Sequence, residues 1–152
     1  MTPKISICIC VYKVEAYIEK CIRSLFEQTM QEGLEFIFVD DCTPDKSFEV
    51  LETVLEEYPC RKDQVKVIHL EQNGGVANAR KVAMRAATGE YVIHCDPDDW
   101  VDKMAYEKLY LKAKEDGADL VYHDFIRYFS ASDQRRLYKG NLIERDDIIN
   151  AL

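Results

Sequence analysis

The 152 residues predict an α/β domain: a mostly parallel central sheet with helices on both faces. Two observations carry this. Short apolar runs rich in β-branched residues recur at 5–11, 34–39, 65–70 and 91–95, nearly continuous in the way strands covered on both faces are. Segments of helical periodicity alternate with them, as right-handed βαβ units require.

Each element follows from its residues. The run 5–11 is the first strand. Residues 16–29 place Ile18, Cys21, Ile22, Leu25 and Phe26 on one helical face and Glu19, Lys20, Arg23 and Glu27 on the other. The second strand, 34–39, ends on Asp40 and Asp41. Thr43, Pro44 and Asp45 then supply turn and helix-start chemistry, and Phe48, Leu51, Val54, Leu55 and Tyr58 form the apolar face of a helix stopped by Pro59. The polar residues 60–64 read as a loop before the third strand. Asn73-Gly74-Gly75 reads as a tight turn, and 76–87 as a small-residue helix closed by Gly89. The fourth strand, 91–95, stops at Asp96-Pro97-Asp98-Asp99-Trp100. Asp102 is a candidate N-cap for a helix over 103–116, with Tyr106, Leu109, Tyr110 and Ala113 on its apolar face. A fifth strand is expected over 120–128, a turn at 130–133, a short return strand at 136–138 and the start of a helix at 145–152. Residues 1–128 are expected to form the ligand-binding domain, and 129–152 the start of a further, truncated region.

Composition narrows the function. With 47% hydrophobic and 32% charged residues the chain can bury a proper core. A net charge of −8 disfavours nucleic acid and anionic membrane surfaces, which repel it. The six cysteines form no Cys-x-x-Cys pair, and a reducing cytoplasm is the expected setting. The apolar run 5–12, broken by Lys13 and Glu15, is too short for a signal or membrane span, so attachment to the inner face of a membrane would need a segment outside this chain.

In parallel sheets ligands bind at the carboxyl ends of the strands. Three of those ends carry Tyr12 with Lys13, Asp40 with Asp41, and Asp96 with Asp98 and Asp99. Three carboxylates within four residues repel one another unless a cation joins them. Mn²⁺ or Mg²⁺ fits, because such ions prefer oxygen ligands and complete their shell with phosphates and water. An isolated Asp-x-Asp also fits a solvated acidic turn. The glycine-rich strings of dinucleotide folds and P-loops, and the glycine-rich loop expected of a nucleotidylyltransferase, are missing after the first strand. A phospho-acceptor receiver is disfavoured because the first strand lacks metal-binding acids.

Four ordered segments carry a resemblance: Ile5-Ser6-Ile7-Cys8-Ile9-Cys10-Val11-Tyr12, Val39-Asp40-Asp41-Cys42-Thr43-Pro44-Asp45, Gly74-Gly75-Val76-Ala77-Asn78-Ala79-Arg80 and Asp96-Pro97-Asp98-Asp99-Trp100. Over residues 4–126 the chain resembles a family 2 glycosyltransferase, which implies a GT-A fold and inverting transfer from a nucleotide sugar, UDP-sugar by expectation, to a glycan or other hydroxyl acceptor. By this resemblance Tyr12 lies against the nucleobase and Asp41 accepts the imide N–H of the base, while Asp40 caps the following turn or exchanges roles with Asp41. Arg80 approaches the base and diphosphate, Asp98 binds the metal, Asp96 reaches the ribose or a metal-bound water, and Asp99 supports them. Glu15 is a further donor-site candidate. His69, His94 and His123 read as structural, and Trp100 as packing the loop. The chain departs from the family at Cys10, where Pro is common, at Lys13, where Asn is common, and at Cys42-Thr43, where Gly-Ser is common. The family's catalytic base, usually an acid, has no match here: Asp124, Asp146 and Asp147 lack its context. A non-catalytic nucleotide-sugar-binding or interaction module on the same fold is the alternative.

Overall fold

The computed structural model describes residues 2–123 and the strands Phe125–Arg127 and Arg136–Tyr138. The chain divides into two compact units, Met1–Tyr110 and Leu111–Leu152. In the first, β1 (Ile5–Val11), β2 (Leu34–Asp40), β3 (Val65–His69) and β4 (Tyr91–His94) form a sheet in the order β3-β2-β1-β4. Every pairing is parallel, with Ile5 opposite both Leu34 and Tyr91 and Phe36 opposite Val65.

β1 lies inside the sheet, and its alternate residues serve two cores. Ile5, Ile7, Ile9 and Val11 pack with Ile18, Ile22 and Leu25 of α1 (Ile18–Phe26) and with Leu51 and Val54 of α2 (Ser47–Glu57). Cys8, with the less buried Cys10, joins Ile37, Val39 and the alanines Ala79 and Ala83 of α3 (Val76–Ala86) in the second core. Burial on both faces explains why β1 reads as an unbroken apolar run, and each fully buried isoleucine there contributes roughly 1.5–3 kcal/mol. α4 (Ala105–Asp116) contributes Tyr106, 1% exposed, to the first core.

Three expectations are corrected. Residues 60–64 are not a polar surface loop: Pro59–Gln64 is a 3₁₀ helix, and Arg61 within it is fully buried. Its guanidinium donates to the carbonyls of Phe26, Gln28, Met30 and Gln31 and to Gln64 Oε1, so it satisfies the carbonyl-rich exit of α1. α1 begins later than position 16, because Tyr17 and Ile18 N–H both donate to Val14 O in a preceding turn. Of the strand expected over 120–128, residues 120–123 are not strand, whereas Phe125–Arg127 is and pairs antiparallel with Arg136–Tyr138 in a two-stranded sheet. The expected return strand at 136–138 is present, whereas the turn at 130–133 and the helix at 145–152 lie outside the described residues.

The amino ends of the strands are tied by a polar network. Ser6 Oγ donates to Glu35 at 2.5 Å, Thr88 N–H and O–H donate to the same carboxylate, and Gly89 N–H donates back to Ser6 Oγ at 2.8 Å. A Cβ on Gly89 would sit 2.7 Å from Ser6 N, so only glycine allows this approach. Partial burial works to raise the Glu35 pKa, but the Ser6 and Thr88 hydrogen bonds and the charge of Lys66 outweigh it and hold it below its ordinary value. A depressed native pKa gives stability that is present above the unfolded-state value and lost as pH falls. Glu35→Gln is therefore expected to lose about 1 kcal/mol in urea unfolding at neutral pH. The gap to the parent should close as pH falls below about 4.

Candidate active site

The carboxyl ends of β1, β2 and β4 bring most of the expected residues together. Tyr12 is 40% exposed, with the Lys13 ammonium 5.2 Å from its ring centroid. Beside it, Asp41 N–H donates to Val11 O, which draws the exit of β2 against that of β1. Asp40 caps the turn: its Oδ1 accepts Thr43 N–H at 2.7 Å and its Oδ2 lies 2.9 Å from His69 Nδ1.

Asp41 is 3% exposed, and its two carboxylate oxygens accept the N–H groups of Gly74 and Gly75 at 2.7 and 2.8 Å. The Asn73 side-chain amide donates to Asp41 O, so the glycine loop is fixed from both sides. Gly75 sits at φ +80°, a left-handed conformation natural to glycine, and is the N-cap of α3. Asp41 thereby sets where α3 begins and, with it, where Arg80 points.

Arg80 Nη2 reaches Asp96 Oδ1 at 2.7 Å, joining α3 to the end of β4. The pair is about half exposed and therefore open to exchange with an anionic ligand. An open groove beside it is walled by Val76, Ala77 and His94. Burial pushes the His94 pKa down, and the Arg80 charge adds to the shift. Burial likewise holds the Cys10 thiol up at about 11, with Arg80 partly opposing it and Asp96 and Asp41 adding to it, so Cys10 is no nucleophile.

Asp96 to Asp99 form a turn closed by Asp99 N–H to Asp96 O at 3.0 Å, with Pro97 at the position whose φ it presets. Asp98 and Asp99 are exposed on it. Burial raises the Asp99 pKa, and the neighbouring charges of Asp98 and Asp96 add to it. Among the described residues no group of three His, Cys, Asp or Glu side chains is placed to hold a metal ion. The donor set nonetheless fits a hard divalent ion, since such ions commonly take one or two carboxylates and complete their shell with phosphate and water. Trp100, 43% exposed, has the Lys20 ammonium 3.0 Å from its ring centroid.

Glu15 stands exposed in the loop after β1. Its carboxylate accepts Lys46 N–H at 3.1 Å at the start of α2, and its own N–H donates to Asp45. Partial burial of Asp45 works against ionisation, but hydrogen bonds from Ser47, Glu15 and Thr43 hold its pKa at about 2. Glu15 and Asp45 together brace the loop after β1 against α2. Sequence reasoning passed over Asn73, Gln28 and Arg61, because polar residues next to turns ordinarily read as solvated surface.

The sheet order and the site at its carboxyl edge define a GT-A nucleotide-sugar transferase fold, and solved structures agree. S. aureus TarS 1-349 in complex with UDP superposes with a TM-score of 0.67 at 31% identity, over 74% of this chain and 32% of that one. TarS 1-349 has also been solved with UDP-GlcNAc, at the same TM-score and identity. A mannosyltransferase from Pyrobaculum calidifontis, solved with GDP-Man and Mn²⁺, matches at a TM-score of 0.60 and 25% identity, over 66% of this chain and 29% of that one. Residues 6–150 match Glycosyl transferase family 2, and the chain belongs to that family. An uncharacterised glycosyltransferase of Bacillus subtilis (strain 168), EpsJ, is 36% identical over 149 residues, which is 98% of this chain and 41% of the relative. The chain thus spans about two fifths of the length of such relatives.

Two of the departures from the family fall on strained backbone. Lys13 and Cys42 adopt φ +55° and +58°, the left-handed region where the family's Asn and Gly sit more easily. Lys13→Asn and Cys42→Gly are each expected to raise stability by about 0.5 kcal/mol, the strain relieved being partly offset for glycine by chain entropy. A higher urea midpoint at unchanged slope is the check; a lower midpoint would contradict the strain assignment.

Proposed function

We propose that this chain is the donor-binding part of an inverting, metal-assisted glycosyltransferase that takes its sugar from a UDP-sugar and delivers it to a hydroxyl of a glycan or other acceptor. One observation carries the reading: an exposed aromatic, a buried acid and an arginine–aspartate pair lie at the carboxyl ends of three parallel strands. The UDP complex of a structural neighbour supports the choice of nucleotide.

In this reading the uracil ring lies on Tyr12, a contact worth on the order of 1 kcal/mol. Each carboxylate oxygen offers about two acceptor sites, so the glycine bonds leave Asp41 a lone pair for the imide N–H of the base. Arg80 turns part of its charge from Asp96 to the diphosphate, and Asp96, so released, reaches the ribose. Asp98, with Asp96 and Asp99 beside it, would hold Mn²⁺ or Mg²⁺. When bound, that ion supplies Lewis-acid neutralisation of the charge on the departing diphosphate. Glu15 acts on the site indirectly, by bracing the loop that carries Tyr12. The base that takes the acceptor proton is left open: Asp124, Asp146 and Asp147 lie outside the described residues. No helix among the described residues is long and apolar enough to cross a membrane, and a cytoplasmic site of action belongs to the same reading.

Calorimetric titration of UDP tests it. Micromolar binding is expected with Mn²⁺, weakened at least about tenfold by chelator. Asp98→Asn should lose a similar factor while its thermal midpoint stays within about 2 °C of the parent. Equal binding by variant and parent would remove Asp98 from the site, and no binding in either condition would sink the donor reading. Slow hydrolysis of a UDP-sugar would support transfer; binding with no hydrolysis would favour a non-catalytic module.

A further inference from the structure

Gln28 follows α1, is fully buried, and uses every hydrogen-bonding atom of its side chain. Its Nε2 donates to Ser24 O and to Asp102 O, both at 2.9 Å, and its Oε1 accepts Tyr106 N–H at 3.2 Å. The bonds to Asp102 and Tyr106 hold the chain just after the acidic turn at 96–99. Neighbours of Gln28 grip the same stretch: Ser24 Oγ accepts Val101 N–H at 3.2 Å, and Thr29 N–H donates to Lys103 O at 2.8 Å. On its other side the turn is pinned by Cys95 N–H to Cys8 O at 3.0 Å. The backbone that aims Gln28 is itself held, since Arg61 donates to Gln28 O at 3.0 Å.

We propose that Gln28 is a positioning residue for the acidic turn: through Asp102 and Tyr106 it fixes the height at which Asp98 and Asp99 stand over the strand ends, with Ser24 and Thr29 as supports. Val101, Asp102 and Lys103, three successive residues, are each hydrogen-bonded to the α1 side, so the segment that leaves the turn is held as one piece. Buried side-chain amides with complete partners fix a single arrangement, and losing one leaves several orphaned groups. The functional half of the proposal rests on the donor reading above; the structural half does not.

Trp100, the chain's one tryptophan, lies between the turn and the gripped residues and reports on both without ligand. Two variants are compared with the parent: Gln28→Met, which keeps bulk but loses all three bonds, and the milder Ser24→Ala, which frees Val101 N–H. Circular dichroism establishes folding, acrylamide quenching of Trp100 reads the loop, and UDP titration with Mn²⁺ and with chelator reads the site. Glu35→Gln, at the opposite ends of the strands, is the control for simple destabilisation. Quenching in Gln28→Met should rise about twofold and the Mn²⁺-dependent affinity for UDP fall about tenfold, with binding in chelator unchanged. Ser24→Ala should move the same way by a smaller factor, and Glu35→Gln should move neither. Should Gln28→Met fail to fold, Gln28→Glu, which keeps an acceptor for Tyr106 N–H and loses the Nε2 donor to Asp102 O, takes its place in the same comparison. Unchanged quenching in a folded variant overturns the positioning role. Raised quenching with unchanged Mn²⁺-dependent affinity overturns its link to the donor site. A parent that does not bind UDP overturns the donor reading and that link, while the quenching result still decides whether Gln28 sets the turn.

Discussion

The buried carboxylate of Asp41, with a glycine N–H on each oxygen, is the interaction on which the carboxyl edge of this sheet depends. A carboxylate taken out of water needs hydrogen-bond donors, and here each of its oxygens has one from the backbone, at 2.7 and 2.8 Å. The return is geometric. The donors belong to the residues that precede α3, so one carboxylate sets the start of a helix as well as the exit of β2. Arg80 then stands one turn into α3, where it meets Asp96 from the end of β4. Three loops far apart in sequence are thus fixed against one another by short polar contacts.

The two edges of the sheet divide the work. At the amino edge Ser6, Glu35, Thr88 and Gly89 form a network joining three segments. At the carboxyl edge the polar groups are more exposed, and two non-glycine residues, Lys13 and Cys42, hold left-handed backbone at some cost in stability. Strain of that kind persists when the surrounding structure determines the loop, as Thr43 does here by accepting Lys13 N–H.

Much of this was legible in the residues. β1 runs over the span its apolar run marks, because a strand buried on both faces has no place for polar alternation. The acids after β2 and β4 were legible as a site only because the parallel order puts both strand ends on one edge. What escaped was decided by partners distant in sequence. Arg61 lies in a stretch whose composition is that of a surface loop, yet the carbonyls around the exit of α1 draw its guanidinium inside. Leu120 and Tyr122 look like strand residues but are 62% and 64% exposed, since a strand needs a pairing partner as well as β-propensity. The sequence likewise leaves the turn cap open between Asp40 and Asp41, and the direction of Thr43 N–H, toward Asp40, decides it.

A crystal structure of this chain with UDP and Mn²⁺ tests the central claim most directly. The account predicts uracil stacked on Tyr12 with its imide N–H on Asp41, the diphosphate within reach of Arg80, and the ion on Asp98 with the glycine contacts of Asp41 intact. Nucleotide bound away from the carboxyl ends of β1, β2 and β4, or an Asp41 with no part in holding the glycine loop, would contradict it.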